Sequence, residues 1–120
     1  MTAPDRRVLV IDDDARIAEL VATMLQTLGY TATVALTGDE ALQLVGSTRP
    51  DLVLLDATMP GIAGAELLDA LLQSAPQIPV VVMTGDPARA RGMLERGAVG
   101  YLAKPFRVEA LNEKLKEILS

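Results

Sequence analysis

The sequence contains no cysteine and no histidine. The absence of cysteine excludes disulfide bonds, zinc-thiolate sites and catalysis by a thiol. Because neither thiolate nor imidazole ligands are available, we expect any metal ion to be held by oxygen atoms. Aromatic residues make up only 2% of the chain and tryptophan is absent, so aliphatic side chains have to form the core.

Long apolar runs and an excess of basic residues are also missing. Runs such as residues 80–83 are far shorter than the roughly 18 residues of a membrane span, and residues 1–7 have no apolar signal-peptide core. The net charge of −5 argues against direct binding to nucleic acids or anionic membranes, which need a basic surface. We therefore predict a cytoplasmic protein that contacts neither membrane nor nucleic acid.

The chain is long enough to fold as one unit. It has 120 residues, of which 50% are hydrophobic, and this is sufficient for a complete core. We find no linker and no low-complexity segment. We therefore predict a single domain over residues 1–120.

Short apolar runs alternate with longer stretches of helical period, a pattern that is typical of repeated βα units. The first, third and fourth apolar runs are nearly continuous, so they should be central parallel strands covered on both faces. The five predicted strands cover residues 7–12, 31–35, 52–56, 79–84 and 100–103.

The predicted helices have recognisable starts and stops. Gly29 should end the first helix, and Gly46 should end the second, which begins with a capping box over residues 37–40. Asp14 should cap the first helix. The third helix is predicted over residues 65–75. The apolar residues predicted to face the core from the first helix are Ile17, Leu20, Val21, Met24, Leu25 and Leu28.

The fourth helix, predicted over residues 87–96, should be the weakest element. Gly92 in its interior costs about 1 kcal/mol relative to alanine. It has only three apolar side chains to bury, namely Ala90, Met93 and Leu94. We expect it to be the element that moves most easily.

Polar residues follow the predicted strands one after another. They are Asp12 and Asp13 after the first strand, Asp56 at the end of the third, Thr84 at the end of the fourth and Lys104 after the fifth. Each has an ordinary explanation as a cap, a turn residue or a solvated charge. Ligands of open parallel sheets, however, bind at the carboxyl ends of the strands. Crowded carboxylates are either left in water or gather a metal ion, so the set as a whole predicts a binding site.

Several motifs together resemble the receiver domain of the response regulators of two-component signalling, over nearly the whole chain. The motifs are Val10-Ile11-Asp12-Asp13-Asp14, Pro50-Asp51-Leu52-Val53-Leu54-Leu55-Asp56, Met59-Pro60-Gly61 with Gly64, Thr84-Gly85, and Tyr101-Leu102-Ala103-Lys104-Pro105-Phe106. The resemblance implies a doubly wound α/β fold of the flavodoxin-like type, (βα)5, with a parallel sheet of strand order 2-1-3-4-5.

The resemblance also implies the chemistry of the site. Asp56 would accept a phosphoryl group as an acyl phosphate. Asp13, Asp56 and the backbone carbonyl of Thr58 would hold Mg²⁺, with Asp12 acting through water. Lys104 would pair with one phosphoryl oxygen, and Thr84 would donate a hydrogen bond to another. The domain would catalyse its own phosphorylation and dephosphorylation rather than act as a metabolic enzyme.

Further roles implied by the resemblance concern lifetime, signal and partners. Thr58 and Asp86 would flank the path of the hydrolytic water and tune the lifetime of the phosphoryl group. Thr84 and Tyr101 would form the switch. The fourth helix, fifth strand and fifth helix would provide the surface for a downstream protein, an output domain or a dimer. The phosphoryl donor would be a histidine kinase, a histidine phosphotransfer protein or a small phosphodonor.

Two other functions remain open on the sequence alone. A phosphatase of the haloacid dehalogenase type also uses an aspartate nucleophile, a threonine, a lysine and Mg²⁺, but it needs acidic metal ligands after the lysine. The acidic residues after Lys104 are only Glu109, Glu113 and Glu117, all on a predicted amphipathic helix. The other alternative is an adaptor that resembles a receiver but works without phosphorylation.

Overall fold

A computed structural model describes residues 6–57 and 64–119. Within them, strands and helices alternate regularly along the chain. The elements are β1 Arg7–Ile11, α1 Ala15–Thr27, β2 Thr31–Ala35, α2 Gly38–Thr48, β3 Leu52–Asp56, α3 Gly64–Ser74, β4 Val80–Thr84, α4 Pro87–Arg96, β5 Gly100–Ala103 and α5 Val108–Leu119.

The strands form one parallel sheet of order β2-β1-β3-β4-β5, which confirms the predicted order and the doubly wound (βα)5 fold. All residues of β3 and β4 are buried, as the continuous apolar runs predicted for central strands. β1 ends at Ile11, one residue earlier than predicted, and β4 begins at Val80 rather than at residue 79.

The two faces of the sheet carry separate apolar layers, because successive side chains of a strand point to opposite faces. On one face, Leu9, Val53 and Leu55 pack with residues of α2, α3 and α4. On the other face, residues of α1 and α5 pack against side chains of β1, β3 and β4. The second layer contains Val8, Val10, Leu52, Leu54, Val81, Met83, Ala18, Val21, Leu25, Leu111 and Leu115. No helix in the described part of the chain is long and apolar enough to cross a membrane.

Side chains cap the helices largely as predicted. The Asp14 carboxylate accepts hydrogen bonds from the backbone N–H groups of Arg16 and Ile17 at the start of α1. Thr37 Oγ1 accepts from the N–H of Glu40 at 3.1 Å. The Glu40 carboxylate accepts from the N–H of Leu36 rather than of Thr37, so the capping box closes one residue further out.

The predicted helix ends agree less well with the structure than the predicted helix starts do. Gly29 follows the end of α1 with φ of +96°, a conformation that favours glycine, so this predicted stop is confirmed. The predicted stop at Gly46 is wrong, because α2 continues to Thr48 and ends at Arg49 in the left-handed region, with φ of 47°. Pro50 follows directly, and a proline ring disfavours helical geometry in the residue before it. α3 lies one residue earlier than predicted, at Gly64–Ser74.

Three apolar side chains predicted to be buried are exposed. Ile17 is 38% exposed and Leu20 is 56% exposed, because α1 buries a narrower face consisting of Ala18, Val21, Ala22 and Leu25. Leu94 of α4 is also 38% exposed. α4 therefore buries only Ala90 and Met93, which is less than its sequence predicted.

The two glycines of the α4 region should respond oppositely to alanine. A Cβ at Gly92 meets nothing within 4 Å, so Gly92→Ala should raise the free energy of unfolding by about 1 kcal/mol. Gly97 has φ of +125°, and a Cβ there would lie 2.8 Å from Leu72 Cδ1. Gly97→Ala should lower the free energy of unfolding by about 1 kcal/mol or more. Chemical denaturation measures both, and changes of the same sign would contradict the structure.

Candidate functional site

The register of the sheet brings the polar strand ends to one edge. Ile11 pairs with Leu55, Asp56 pairs with Met83, and Thr84 pairs with Ala103. The residues that follow β1 and β5 therefore reach the same edge as the last residues of β3 and β4. This is the carboxyl edge of the sheet, where ligands of doubly wound folds bind.

Three carboxylates meet at this edge. Asp12, Asp13 and Asp56 each offer an oxygen, and these oxygens all lie within 4.8 Å of one another. Asp12 is only 1% exposed and Asp56 only 3%, whereas Asp13 is open to solvent. Two of the three charges are thus withheld from water, which makes them costly unless cations or hydrogen-bond donors lie beside them.

Lys104 supplies a positive charge to both buried carboxylates. Its Nζ lies 3.2 Å from Asp12 Oδ2 and 3.5 Å from Asp56 Oδ1. The backbone N–H of Asp14 donates to Asp12 Oδ1 at 3.0 Å. The cluster contains three carboxylates and one ammonium, so it retains an excess of negative charge.

Burial raises the pKa of the Asp12 carboxyl above its usual value of 3.8. The charge of Asp56 raises it further, while the Asp14 N–H and Lys104 act in the opposite direction. The folded protein therefore binds this proton more tightly than the unfolded chain does. Ionisation of Asp12 consequently lowers the stability of the metal-free protein as the pH rises through the raised pKa, and that stability returns as the pH falls.

The donor atoms of the cluster fit a small hard divalent cation. Carboxylate oxygens are the ligands that Mg²⁺ prefers, and the sequence offers no thiolate or imidazole to compete. A cation there would also relieve the repulsion among the carboxylates. Thr58, which was predicted to contribute its backbone carbonyl, lies outside the described residues.

Thr84 joins the site to the start of α4. Its side chain is buried, at 1% exposure, and its Oγ1 accepts a hydrogen bond from the backbone N–H of Asp86 at 3.1 Å. Asp86 is exposed and caps α4, because its Oδ1 accepts from the N–H of Ala88 at 3.0 Å. The backbone N–H of Lys104 donates to the Thr84 carbonyl at 3.0 Å. Thr84 is therefore hydrogen-bonded both to Asp86, at the start of α4, and to Lys104, after β5.

Tyr101 lies on β5, opposite Val82 of β4. Its side chain is partly buried and packs against the apolar layer that also contains Met93 of α4. The structure therefore places Tyr101 on the same face of the sheet as α4.

Two features of the site were not predicted. The first is the direct ion pairing of Lys104 with Asp12 and Asp56, since the sequence predicted only that this ammonium and the carboxylates lie at the same edge of the sheet. The second is an apolar groove of about 340 Å³ beside Lys104. The apolar residues of α1 that line this groove were predicted from their helical spacing to face the core. Nothing in the sequence showed that some of them are exposed. The groove is lined by Ile17, Leu20, Val21, Met24, Lys104, Pro105 and Phe106.

Curated relatives match most of this chain. Response regulator MprA of Mycolicibacterium vanbaalenii is 38% identical over 116 residues, which make up 94% of this chain and 50% of the relative. The protein of the same name from Mycobacterium bovis is 36% identical over the same shares of the two chains. The chain thus spans about half the length of these curated relatives.

Solved structures agree with this fold. The Vibrio cholerae chemotaxis protein CheY4 is similar with a TM-score of 0.88 and 30% identity, covering 95% of this chain and 98% of that one. The receiver domain of NtrX from Brucella abortus is similar with a TM-score of 0.89 and 33% identity, covering 93% and 97% of the two chains.

A family model described as the response regulator receiver domain matches residues 8–116. This match covers most of the described residues, including Asp12, Asp13, Asp56, Thr84 and Lys104, and it removes the phosphatase alternative. The chain therefore belongs to the family of response regulator receiver domains of two-component signalling.

Proposed function

We propose that Asp56 accepts a phosphoryl group from a histidine kinase or a histidine phosphotransfer protein in a Mg²⁺-dependent reaction. The observation that carries the proposal is the position of Asp56, a buried carboxylate at the end of a central strand. It lies close to Lys104 and to Asp12 and Asp13, which we call the acidic pair. Neither cysteine nor histidine is present to serve as an alternative acceptor.

The chemistry assigned to Asp56 is nucleophilic. A carboxylate oxygen attacks the phosphorus atom, the new O–P bond forms as the N–P bond of the phosphohistidine breaks, and the histidine nitrogen leaves. Attack of water on the same phosphorus later releases inorganic phosphate and restores the Asp56 carboxylate. Thr58 and Asp86 flank the path of this water in the proposal, and they tune the lifetime of the acyl phosphate.

Asp13 and Asp56, with the backbone carbonyl of Thr58, would hold Mg²⁺ directly, and Asp12 would act through water. Bound Mg²⁺ supplies positive charge that offsets the repulsion between the phosphoryl oxygens and the carboxylates. The excess negative charge of the metal-free cluster supports this assignment.

Lys104 and Thr84 have the complementary task of binding the phosphoryl oxygens. Lys104 Nζ is already 3.5 Å from Asp56 Oδ1, so a phosphoryl group on Asp56 would arrive next to the ammonium. The Thr84 hydroxyl would donate to another phosphoryl oxygen. Both side chains are preorganised by their places on β4 and after β5.

The groove beside Lys104 supports a docking site for the phosphodonor. It exposes apolar side chains of α1, including Ile17 and Leu20, at the edge of the sheet where Asp56 must be reached. A helical partner that presents a phosphohistidine could cover this groove while its imidazole points toward Asp56. In this proposal the reaction takes place in the cytoplasm.

Signal output begins at Thr84. A hydroxyl drawn toward a new phosphoryl oxygen would give up its bond with the Asp86 N–H, and the start of α4 would be released. The space that Thr84 vacates would admit Tyr101. The surface of α4, β5 and α5 would then bind a downstream protein, an output domain or a second copy of the domain.

Asp56 should be the residue that carries the phosphoryl group. Wild-type protein incubated with acetyl phosphate and Mg²⁺ should gain one phosphoryl group by intact mass, while Asp56→Asn should gain none and remain folded, because the exchange removes a repelling charge. Asp51→Asn is the matched control, since Asp51 directly precedes β3 at the opposite edge of the sheet, where its Oδ2 accepts from the N–H of Arg7. It should be phosphorylated normally. An unmodified wild type would favour the adaptor alternative.

The effect of Mg²⁺ on the unfolding temperature should depend on the acidic pair. Mg²⁺ should raise the unfolding temperature of the wild type, because it offsets repulsion among the three carboxylates. Asp13→Ala should raise the half-saturating Mg²⁺ concentration at least about tenfold, consistent with loss of a ligand. Glu113→Ala removes an exposed carboxylate on α5 and should leave the Mg²⁺ response unchanged. Equal Mg²⁺ responses in all three proteins would show that the acidic pair is not the metal site.

Activation should alter the residues from Thr84 to Tyr101 more than it alters α1 and α2. Beryllofluoride, a phosphoryl mimic, should shift the amide resonances of residues 84–101 far more than those of α1 and α2. The reason is that Thr84 bonds to the start of α4, and α4 buries few side chains. Uniform shifts, or none between residues 84 and 101, would contradict the switch.

A further inference from the structure

An ion pair joins α3 to α4 on the face of the sheet that both helices cover. The Arg96 guanidinium, in the last turn of α4, donates a hydrogen bond to Asp69 Oδ2 of α3. Among residues 6–57 and 64–119 this is the ion pair that connects two different helices. The two residues are 27 positions apart in the sequence, so no local spacing predicted the contact.

The same end of α4 makes a close backbone approach to α3. Gly97, which caps α4, lies so near α3 that an added Cβ would be 2.8 Å from Leu72 Cδ1. Leu72 and Asp69 are both on α3, three positions apart, and therefore lie on one side of that helix. The carboxyl end of α4 is thus held by α3, while its amino end is bonded to Thr84 of the site.

Little else fixes α4. It buries only Ala90 and Met93, it exposes Leu94, and it contains Gly92 in its interior. When the packing of an element is this weak, a single contact that exists in one arrangement and not in the other can change the balance between them.

We propose that the Asp69–Arg96 ion pair is a latch that favours the resting position of α4 and so sets how readily the domain is activated. The proposal rests on the proposed function, because it assumes that a phosphoryl group on Asp56 displaces α4. In the displaced position the two side chains separate. Breaking the pair by mutation therefore removes a contact of the resting state and makes activation easier.

The size of the effect follows from the exposure of the pair. The side chains are 49% and 46% exposed, so their attraction is partly screened by water. Exposed pairs of this kind shift an equilibrium by a factor of roughly two to five. A factor of this size would change how readily the domain is activated without preventing activation.

The test is a titration of the protein with beryllofluoride at fixed Mg²⁺, followed by the amide resonances of α4 and Tyr101. Asp69→Asn and Arg96→Gln should each lower the half-saturating concentration roughly two- to fivefold. Asp39→Asn is the control, because it removes an exposed carboxylate of α2, which lies outside the proposed switch surface. Its half-saturation should equal that of the wild type.

A double variant separates the latch from a general loss of packing. If the pair is the cause, Asp69→Asn with Arg96→Gln should shift half-saturation no further than either single change does. At about 1 M salt, where the Debye length is near 3 Å, the half-saturating concentration of the wild type should approach that of the variants. Additive shifts in the double variant, or single variants that titrate like the wild type, would overturn the latch. A wild type that gives no response to beryllofluoride would overturn the proposed function and the latch with it.

Discussion

The burial of two like charges at the ends of adjoining strands is the constraint on which the site depends. Asp12 and Asp56 are almost completely withdrawn from water, and Asp13 adds a third carboxylate beside them. Without compensation this arrangement would destabilise the fold. Lys104 and the Asp14 N–H offset part of this cost, while burial first and the charge of Asp56 second keep the pKa of Asp12 raised. In the proposed function the remaining negative charge would attract a cation, so the cost in stability and the proposed chemistry have one origin.

The remainder of the domain divides into a rigid and a loosely held part. β1, β3 and β4 are buried on both faces, which fixes the strand ends that carry the site. α4 is attached differently, through Thr84 at one end and through Asp69 and Leu72 of α3 at the other. A change in the hydrogen bonding of Thr84 therefore acts on an element that few buried side chains oppose. In the proposed function, this arrangement would keep the groups of the site in place while α4 moves.

Local patterns predicted most elements correctly where a single physical rule dominated. Continuous apolar runs identified the central strands, and Asp14 and Thr37 identified helix starts because a side-chain oxygen there satisfies free N–H groups. The errors arose where tertiary context decided. Gly46 did not stop α2, which continues to Thr48 and ends at Arg49, where the following Pro50 disfavours helical geometry. Ile17, Leu20 and Leu94 follow helical periodicity, yet no other element of the described chain covers them fully, and periodicity cannot reveal the width of the covering surface.

The sequence by itself determined the chemistry that is available: oxygen ligands alone for a metal ion, and aspartate, threonine and lysine at the ends of successive strands. Alternation of apolar runs and helical stretches also determined the fold class, because parallel strands buried on both faces require crossover helices. Only the tertiary structure decided how close the groups are and what they contact. The distances from Lys104 to Asp12 and Asp56, the bond from Asp86 to Thr84, and the pairing of Asp69 with Arg96 all join distant elements or depend on side-chain direction. Such contacts are set by the register of the strands and the packing of the helices, which no local stretch of the chain encodes.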